Sequence, residues 1–211
     1  MTPESAVARQ YNRWAATYDR RWRGYTDVTQ EFLLNHLVLA RHHDILDVGC
    51  GTGTLLRRLF VRYPQAHAIG IDASDGMLRL ARENLAGWDV ALRRGRACRL
   101  PVADDSMDLV TMASMLHYVK RPSVALGEAR RVLRPGGTLA VVDYVPRAGV
   151  GSVMDGAIRL YDRGHVRSRT EAELRAIFSY VGMQTTRSVG FPIDRLCRGV
   201  LIIGVVPQRP A

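Results

Sequence analysis

The chain has 211 residues, 47% apolar and 24% charged, with a formal net charge of +10. That balance excludes a largely disordered chain, and the length suits a single domain with a substantial core. No apolar run approaches the ~20 residues that span a bilayer, and the opening MTPESAVARQ lacks the apolar centre of a signal peptide, so a cytoplasmic protein is expected.

Residues 1 to 40 read as helices. In ARQYNRWAATYDRRW, Tyr11, Trp14, Ala15 and Tyr18 recur at i, i+3, i+4 and i+7, which is one amphipathic face, and TQEFLLNHLVLA supplies a second helix. Residues 41 to 145 alternate short apolar strands with helices, the pattern of a Rossmann-like, doubly wound α/β sheet, mostly parallel, with helices on both faces. A glycine-rich, mobile-looking stretch, PRAGVGSVMDG, follows. The helix TEAELRAIFSYVG then opens on a capping-box pattern, Thr170 with Glu173, and Gly182 is placed to stop it. MQTTRSVGFPI and VLIIGVVP are two extended runs that can pair as an antiparallel C-terminal edge.

The most informative run is DILDVGCGTG, residues 44 to 53. Ile45, Leu46 and Val48 suit a strand covered on both faces, and Gly49, Gly51 and Gly53 permit a backbone path and a close ligand approach that a Cβ would obstruct. TLLRRLF then repeats apolar residues at helical spacing. Asp47 stands at the carboxyl end of the strand, where open α/β sheets bind ligands, and its charge suits a cationic group such as an ammonium. A second strand, HAIGID, ends on Asp72, 25 residues later (72 − 47), near the offset of about 20 at which a second-strand acid reaches ribose hydroxyls. The turn by itself is also compatible with a strand-to-helix connection that binds nothing. A dinucleotide is disfavoured, since its G-x-G-x-x-G fingerprint needs glycine where Thr54 stands.

Four further blocks follow in order: GIDASDGML (70 to 78), GRACRLPVADDSMDLV (95 to 110), MASMLHYV (112 to 119) and EARRVLRPGGTLAVVDYV (128 to 145). With the glycine turn they resemble the class I S-adenosylmethionine-dependent methyltransferases over roughly residues 40 to 145. The pattern looks most like the small-molecule enzymes that include the ubiquinone and menaquinone C-methyltransferases. The resemblance implies one domain over residues 1–211: an N-terminal helical lid (1–40), a cofactor-binding core (41–145), and a substrate-side segment with the closing strands (146–211).

The resemblance also implies roles for individual residues. Asp47 and the backbone of Gly49, Gly51 and Thr52 would hold the methionine end of S-adenosylmethionine, and Asp72 the ribose hydroxyls. Ala73 and Met77 would pack near the adenine, although Met77 at helical spacing equally suits the core. Tyr11 and Tyr18 lie where a lid tyrosine closes over the cofactor, and Ala113 with Ser114 would approach the methyl donor. Family members commonly carry GDA where this chain reads GRA. Arg96 cannot accept the adenine hydrogen bond that the missing acid takes, which leaves stacking by Arg96 and the backbone of Ala97.

His117 and Tyr118 are the candidate catalytic pair, His117 because a group with an ordinary pKa near 6.5 transfers protons at neutral pH. The quinone methyltransferases typically have Arg-Asn at this pair, so these positions do not support a quinone acceptor. His165 and Arg167 are further candidates for an acceptor pocket. Cys50, Cys98 and Cys197 are odd in number and widely spaced, which indicates neither a disulfide framework nor a zinc cluster. The positive charge admits a nucleic-acid methyltransferase as an alternative. The arginines are scattered, however, Lys120 is the only lysine, and the Asn/Asp-Pro-Pro-Tyr/Phe run of base amino-group methyltransferases is missing. A non-catalytic S-adenosylmethionine-binding protein is the other alternative, kept open by Arg96.

Overall fold

The computed structural model describes residues 3–37, 44–145, 151–162, 164–194 and 198–208. The elements in chain order are α1 (Pro3–His36), β1 (Asp44–Val48), α2 (Thr54–Arg62), β2 (His67–Asp72), α3 (Asp75–Asn84), β3 (Val90–Arg94) and β4 (Met107–Ala113). A 3₁₀ turn (Leu116–Tyr118) leads to α4 (Pro122–Val132), β5 (Leu133–Val145), α5 (Gly151–Tyr161), α6 (Glu171–Tyr180), β6 (Gln184–Pro192) and β7 (Arg198–Val205).

Seven strands form one sheet in the order β3-β2-β1-β4-β5-β7-β6. The first five run parallel, and β7 pairs antiparallel with both β5 and β6, so the expected antiparallel edge is present. Successive residues of a strand point to opposite faces. Thus Leu46, Val110, Val141 and Ile202 join Leu126, Ala129, Leu174 and Phe178 of α4 and α6 in one buried cluster. Ile45, Leu109, Ala140 and Leu201 join Leu33, Leu55, Leu59, Phe60 and Leu78 of α1, α2 and α3 in the other. Strands buried on both faces need continuous apolar runs, which is why VLIIG of β7 is apolar throughout. The outer strands β3 and β6 are largely exposed and carry Arg93, Arg94, Arg187 and Pro192, which discourage pairing with another chain.

The two N-terminal helices expected from the sequence are one continuous helix of 34 residues. Gly24 lies in its interior, exposed and facing open space, and the apolar faces on either side of it stay helical because both are held by tertiary contacts. Asn12 and Asp19 bind the core near the N-terminal part, while Leu33, Leu34 and the Phe32–Phe191 stack (ring centroids 3.9 Å apart) bury the C-terminal part. The glycine-rich stretch expected to be mobile is helical from Gly151 as α5, whereas residues 146–150 and Cys197 lie outside the described residues. In α6 the capping box is complete: the Thr170 hydroxyl accepts from the Glu173 N–H at 3.2 Å, and Glu173 Oε2 accepts from the Thr170 N–H at 2.8 Å. Its end is a Schellman arrangement at left-handed Gly182 (φ 75°), with the Gly182 and Met183 N–H groups donating to the carbonyls of Ser179 and Phe178.

Candidate functional site

β1 lies between β2 and β4, so the strand order reverses beside it, and a crevice opens at the carboxyl ends of these three strands. The backbone after β1 is folded against β2. The N–H groups of Gly49 and Cys50 both donate to the Ile71 carbonyl, at 2.7 and 3.0 Å. Asp72, the last residue of β2, accepts from the Gly51 N–H (2.9 Å) on one oxygen and from the Ser74 N–H (2.8 Å) on the other. The carboxylate therefore shapes the glycine turn and also faces the cavity that the turn borders. Burial pushes its pKa up, opposed by the backbone N–H donors of Ser74, Gly51 and Ala73.

Eleven of the expected residues line this cavity: Tyr11, Tyr18, Gly49, Gly51, Asp72, Ala73, Arg96, Ala97, Ala113, Ser114 and Tyr118. Gly51 has φ +54°, and a Cβ built on it would meet nothing within 4 Å, so the backbone is open to close approach from the cavity side. Val48, Ile71, Ala73, Ala97 and Ala113 supply apolar wall, with the carboxylate and the phenols as polar points. That mixture fits a nucleoside joined to a thioether: hydroxyls for the acid, and apolar surface for ring and sulfur. Arg96 is exposed, and its backbone pairs with Arg99 in a short antiparallel bridge.

Four expected residues stand elsewhere. Asp47 is 2% exposed and receives the Thr111 hydroxyl at 2.7 Å beneath the turn, and burial pushes its pKa up to about 7. Thr52 is buried, with its hydroxyl donating to Asp19 of α1 at 2.6 Å. Met77 is fully buried in α3 and packs in the core. His117, expected as a catalytic residue, is buried behind the wall. Its Nδ1 lies 2.8 Å from Asp143 Oδ1, its backbone N–H donates to Asp143 Oδ2 at 3.2 Å, and its ring packs on Tyr118 with centroids 4.1 Å apart. The reason is Asp143, a buried acid on the interior strand β5 that must find donors. His165 is likewise buried, between Asp155 and Tyr144, with its pKa lowered first by burial, while Arg167 is exposed and paired with Glu173.

The wall also includes residues the sequence reading did not select, among them Ser74, Gly95, Cys98, Met115 and Val119. Ser74 was recoverable, because it is the N-cap of α3 and its hydroxyl accepts from the Met77 N–H at 3.1 Å. Asn12 had no local signal, yet its Oδ1 accepts from the Ser74 hydroxyl (2.7 Å) and the Gly76 N–H (2.8 Å), which pins α1 across the start of α3. Behind the wall, Asp162 accepts from Tyr118, Gln10 and the Gly164 N–H.

Residues 46–141 match the family model described as a methyltransferase domain. The chain is similar to the malonyl-[acyl-carrier protein] O-methyltransferase of Hahella chejuensis, at 39% identity over 140 residues, covering 64% of this chain and 48% of that protein. It is also similar to the ubiquinone/menaquinone biosynthesis C-methyltransferase UbiE of Syntrophotalea carbinolica, at 34% identity over 153 residues, 72% of this chain and 60% of that one. The chain thus spans about half the length of the curated relatives it matches. Among solved structures, a chain from the complex between the Haloferax volcanii Trm112 methyltransferase activator and a methyltransferase superposes with a TM-score of 0.82 at 22% identity, over 97% of this chain and 99% of that one, a likeness of fold. With the strand order, the glycine turn and the acid ending β2 on the same framework, these matches identify residues 46–141 as a methyltransferase domain of the class I S-adenosylmethionine-dependent kind.

Proposed function

We propose that the protein transfers the methyl group of S-adenosylmethionine to a small-molecule acceptor, with the cofactor in the cavity at the carboxyl ends of β1, β2 and β4. The single observation that carries this reading is Asp72, a carboxylate held by two backbone donors beside a glycine turn and facing the cavity. Each of its oxygens keeps a lone pair for a ribose hydroxyl. Gly49 and Gly51 would hold the methionine end through backbone, and Ala73 and Ala97 would flank the adenine. Arg96 stands in place of the acid that would receive the adenine amino group. Asp47 acts from beneath, through the turn it supports. Residues 1–211 work as one domain in this reading, with the N-terminal half of α1 as the lid and the segment from residue 146 on the acceptor side.

The cofactor supplies an electrophilic methyl group on a good leaving group, so the protein contributes chiefly position and exclusion of water. Oriented reactants gain roughly 7–11 kcal/mol over free encounter. No helix among the described residues is long and apolar enough to cross a membrane, and we place the enzyme in the cytoplasm. The test is calorimetric titration with S-adenosylmethionine and its demethylated product S-adenosylhomocysteine, followed by transfer of a labelled methyl group into a small-metabolite extract. Binding lost at least tenfold in Asp72→Ala, together with transfer by the wild type, is the expected result. Equal binding by Asp72→Ala would remove the site assignment. Binding without any transfer would point to a regulatory protein, and methyl incorporation into RNA that persists at high salt to a nucleic-acid enzyme.

A further inference from the structure

Two tyrosines on the cavity wall, Tyr11 of α1 and Tyr118 of the 3₁₀ turn, form a hydrogen-bonded chain that ends on a buried acid. Tyr11 Oη lies 2.6 Å from Tyr118 Oη, and Tyr118 Oη lies 2.5 Å from Asp162 Oδ2. The other oxygen, Oδ1, receives the Gln10 side-chain N–H at 2.6 Å and the Gly164 N–H at 2.9 Å. Asp162 is 4% exposed and is surrounded by donors. An ionised carboxylate only accepts, so the direction of the whole chain follows. Tyr118 donates to Asp162. Its oxygen then accepts from Tyr11, and the one proton of Tyr11 is spent. Burial, first among the causes, raises both phenol pKa values, which keeps both groups protonated and the direction intact.

We propose that the Tyr11 oxygen offers only lone pairs to the cavity and therefore selects a methyl acceptor that arrives with a proton to give, an O–H or N–H nucleophile. This rests on the methyl-transfer reading above. The chain is also the route for that proton. As the acceptor atom forms its bond to the methyl carbon and the S–C electron pair returns to sulfur, the acceptor's proton passes to Tyr11 Oη. The Tyr11 proton then passes to Tyr118 Oη, and that of Tyr118 to the Asp162 carboxylate. Tyr11 is the catalytic residue, because it touches the acceptor, while Tyr118 and Asp162 are positioning residues that act through it. His117 sits behind this wall and orders Tyr118 by ring packing.

Asp162→Asn is the discriminating substitution. The Gln10 and Gly164 donors hold the amide oxygen on the Oδ1 side, so the amide N–H₂ faces Tyr118 and donates to it. The chain then reverses, and Tyr11 points its proton into the cavity. Wild type, Asp162→Asn and Tyr11→Phe are compared by calorimetry with S-adenosylhomocysteine. Ligand-observed NMR then measures pyrrole, a donor, and furan, an isosteric ring without an N–H, on the S-adenosylhomocysteine-loaded protein. Transfer from S-adenosylmethionine carrying ¹³C in its methyl group into a small-metabolite extract completes the set, because the carbon shift reports the atom methylated.

S-adenosylhomocysteine affinity is expected within twofold in all three proteins. Wild type should prefer pyrrole over furan by roughly fivefold, one neutral hydrogen bond. Tyr11→Phe abolishes that preference, Asp162→Asn abolishes or inverts it, and the transferred methyl is bonded to oxygen or nitrogen. Equal affinity for the two rings in wild type, or methylation of carbon or sulfur, overturns the proposal. A tenfold loss of S-adenosylhomocysteine affinity in Tyr11→Phe overturns the acceptor assignment and gives the lone pair to the cofactor's ammonium. If wild type binds no S-adenosylhomocysteine, the methyl-transfer reading fails, and the pyrrole-to-furan ratio on the unloaded protein still decides the polarity of Tyr11.

Discussion

The Thr111 hydroxyl in β4 donates to Asp47 Oδ1 in β1 at 2.7 Å, across a register in which the two residues are direct partners. This neutral donor is what the interior offers an acid that is 2% exposed, and it does not offset the burial, which pushes the Asp47 pKa from 3.8 to about 7. A carboxyl whose pKa is higher in the folded than in the unfolded chain favours folding only while protonated. Its contribution is complete below about pH 4 and is lost as pH rises through about 7, with an upper limit of about 4 kcal/mol. Asp47→Asn should therefore melt close to wild type at pH 4 and below, and clearly above it at pH 9. Parallel melting curves for the two proteins across this range would refute the burial of an ionisable Asp47.

Gly51 and Gly53 share the left-handed conformation, with φ of +54° and +81°, but have different surroundings. A Cβ at Gly51 enters open cavity, whereas one at Gly53 lies 2.7 Å from Leu85 Cδ1. Gly51→Ala should cost about 1–2 kcal/mol of stability from backbone strain and lower S-adenosylhomocysteine affinity at least tenfold. Gly53→Ala should cost about 2–4 kcal/mol, strain plus overpacking. Urea unfolding and calorimetry separate the two, and equal stability losses would mean the open space at Gly51 is not there.

Arg169 is buried, and its two terminal nitrogens donate to the carbonyls of Leu116 (2.7 Å) and Val119 (2.6 Å). It thereby clamps both ends of the segment that carries Tyr118. Arg169→Met removes both bonds; the Leu116 carbonyl keeps the Val119 N–H at 2.9 Å, the Val119 carbonyl loses the guanidinium donor, and the change should destabilise by about 1–3 kcal/mol. Arg169→Lys reaches one carbonyl and should recover less than half of that loss in a urea titration. Full rescue by lysine would show that the fork geometry is irrelevant.

The Thr170 cap is exposed and its hydrogen bonds are local, so its loss is felt by α6 alone. Thr170→Ala should cost about 1 kcal/mol and Thr170→Ser only a few tenths. Both should leave S-adenosylhomocysteine affinity unchanged, because no residue of α6 lines the cavity. Weakened binding in Thr170→Ala would indicate a coupling between α6 and the site.

How much of the site could be read from the sequence depended on whether its residues lie close along the chain. The turn at residues 49 to 53 and the acid ending β2 are short patterns set by local backbone needs, a tight path after one strand and a side chain at the end of the next. Residues 70 to 78 and 112 to 119 were likewise readable as blocks, and they place Asp72, Ala73, Ala113, Ser114 and Tyr118 on the cavity wall. Within the same blocks the pattern could not separate Met77 from Ala73 or His117 from Tyr118, because neighbouring residues on an element face opposite ways and only packing decides which way is inward.

By itself the sequence determined the alternation of strands and helices, the glycine turn, the cap of α6 and the antiparallel closing pair, since each rests on periodicity or on contacts within a few residues. The tertiary structure alone decided that α1 is a single helix across Gly24, that Asn12 pins it to the start of α3, and that Asp162 lies behind Tyr118, 44 residues earlier in the chain. Those contacts join distant segments whose partners are chosen by burial and by the need of each buried polar atom for a partner, and no local pattern records that choice.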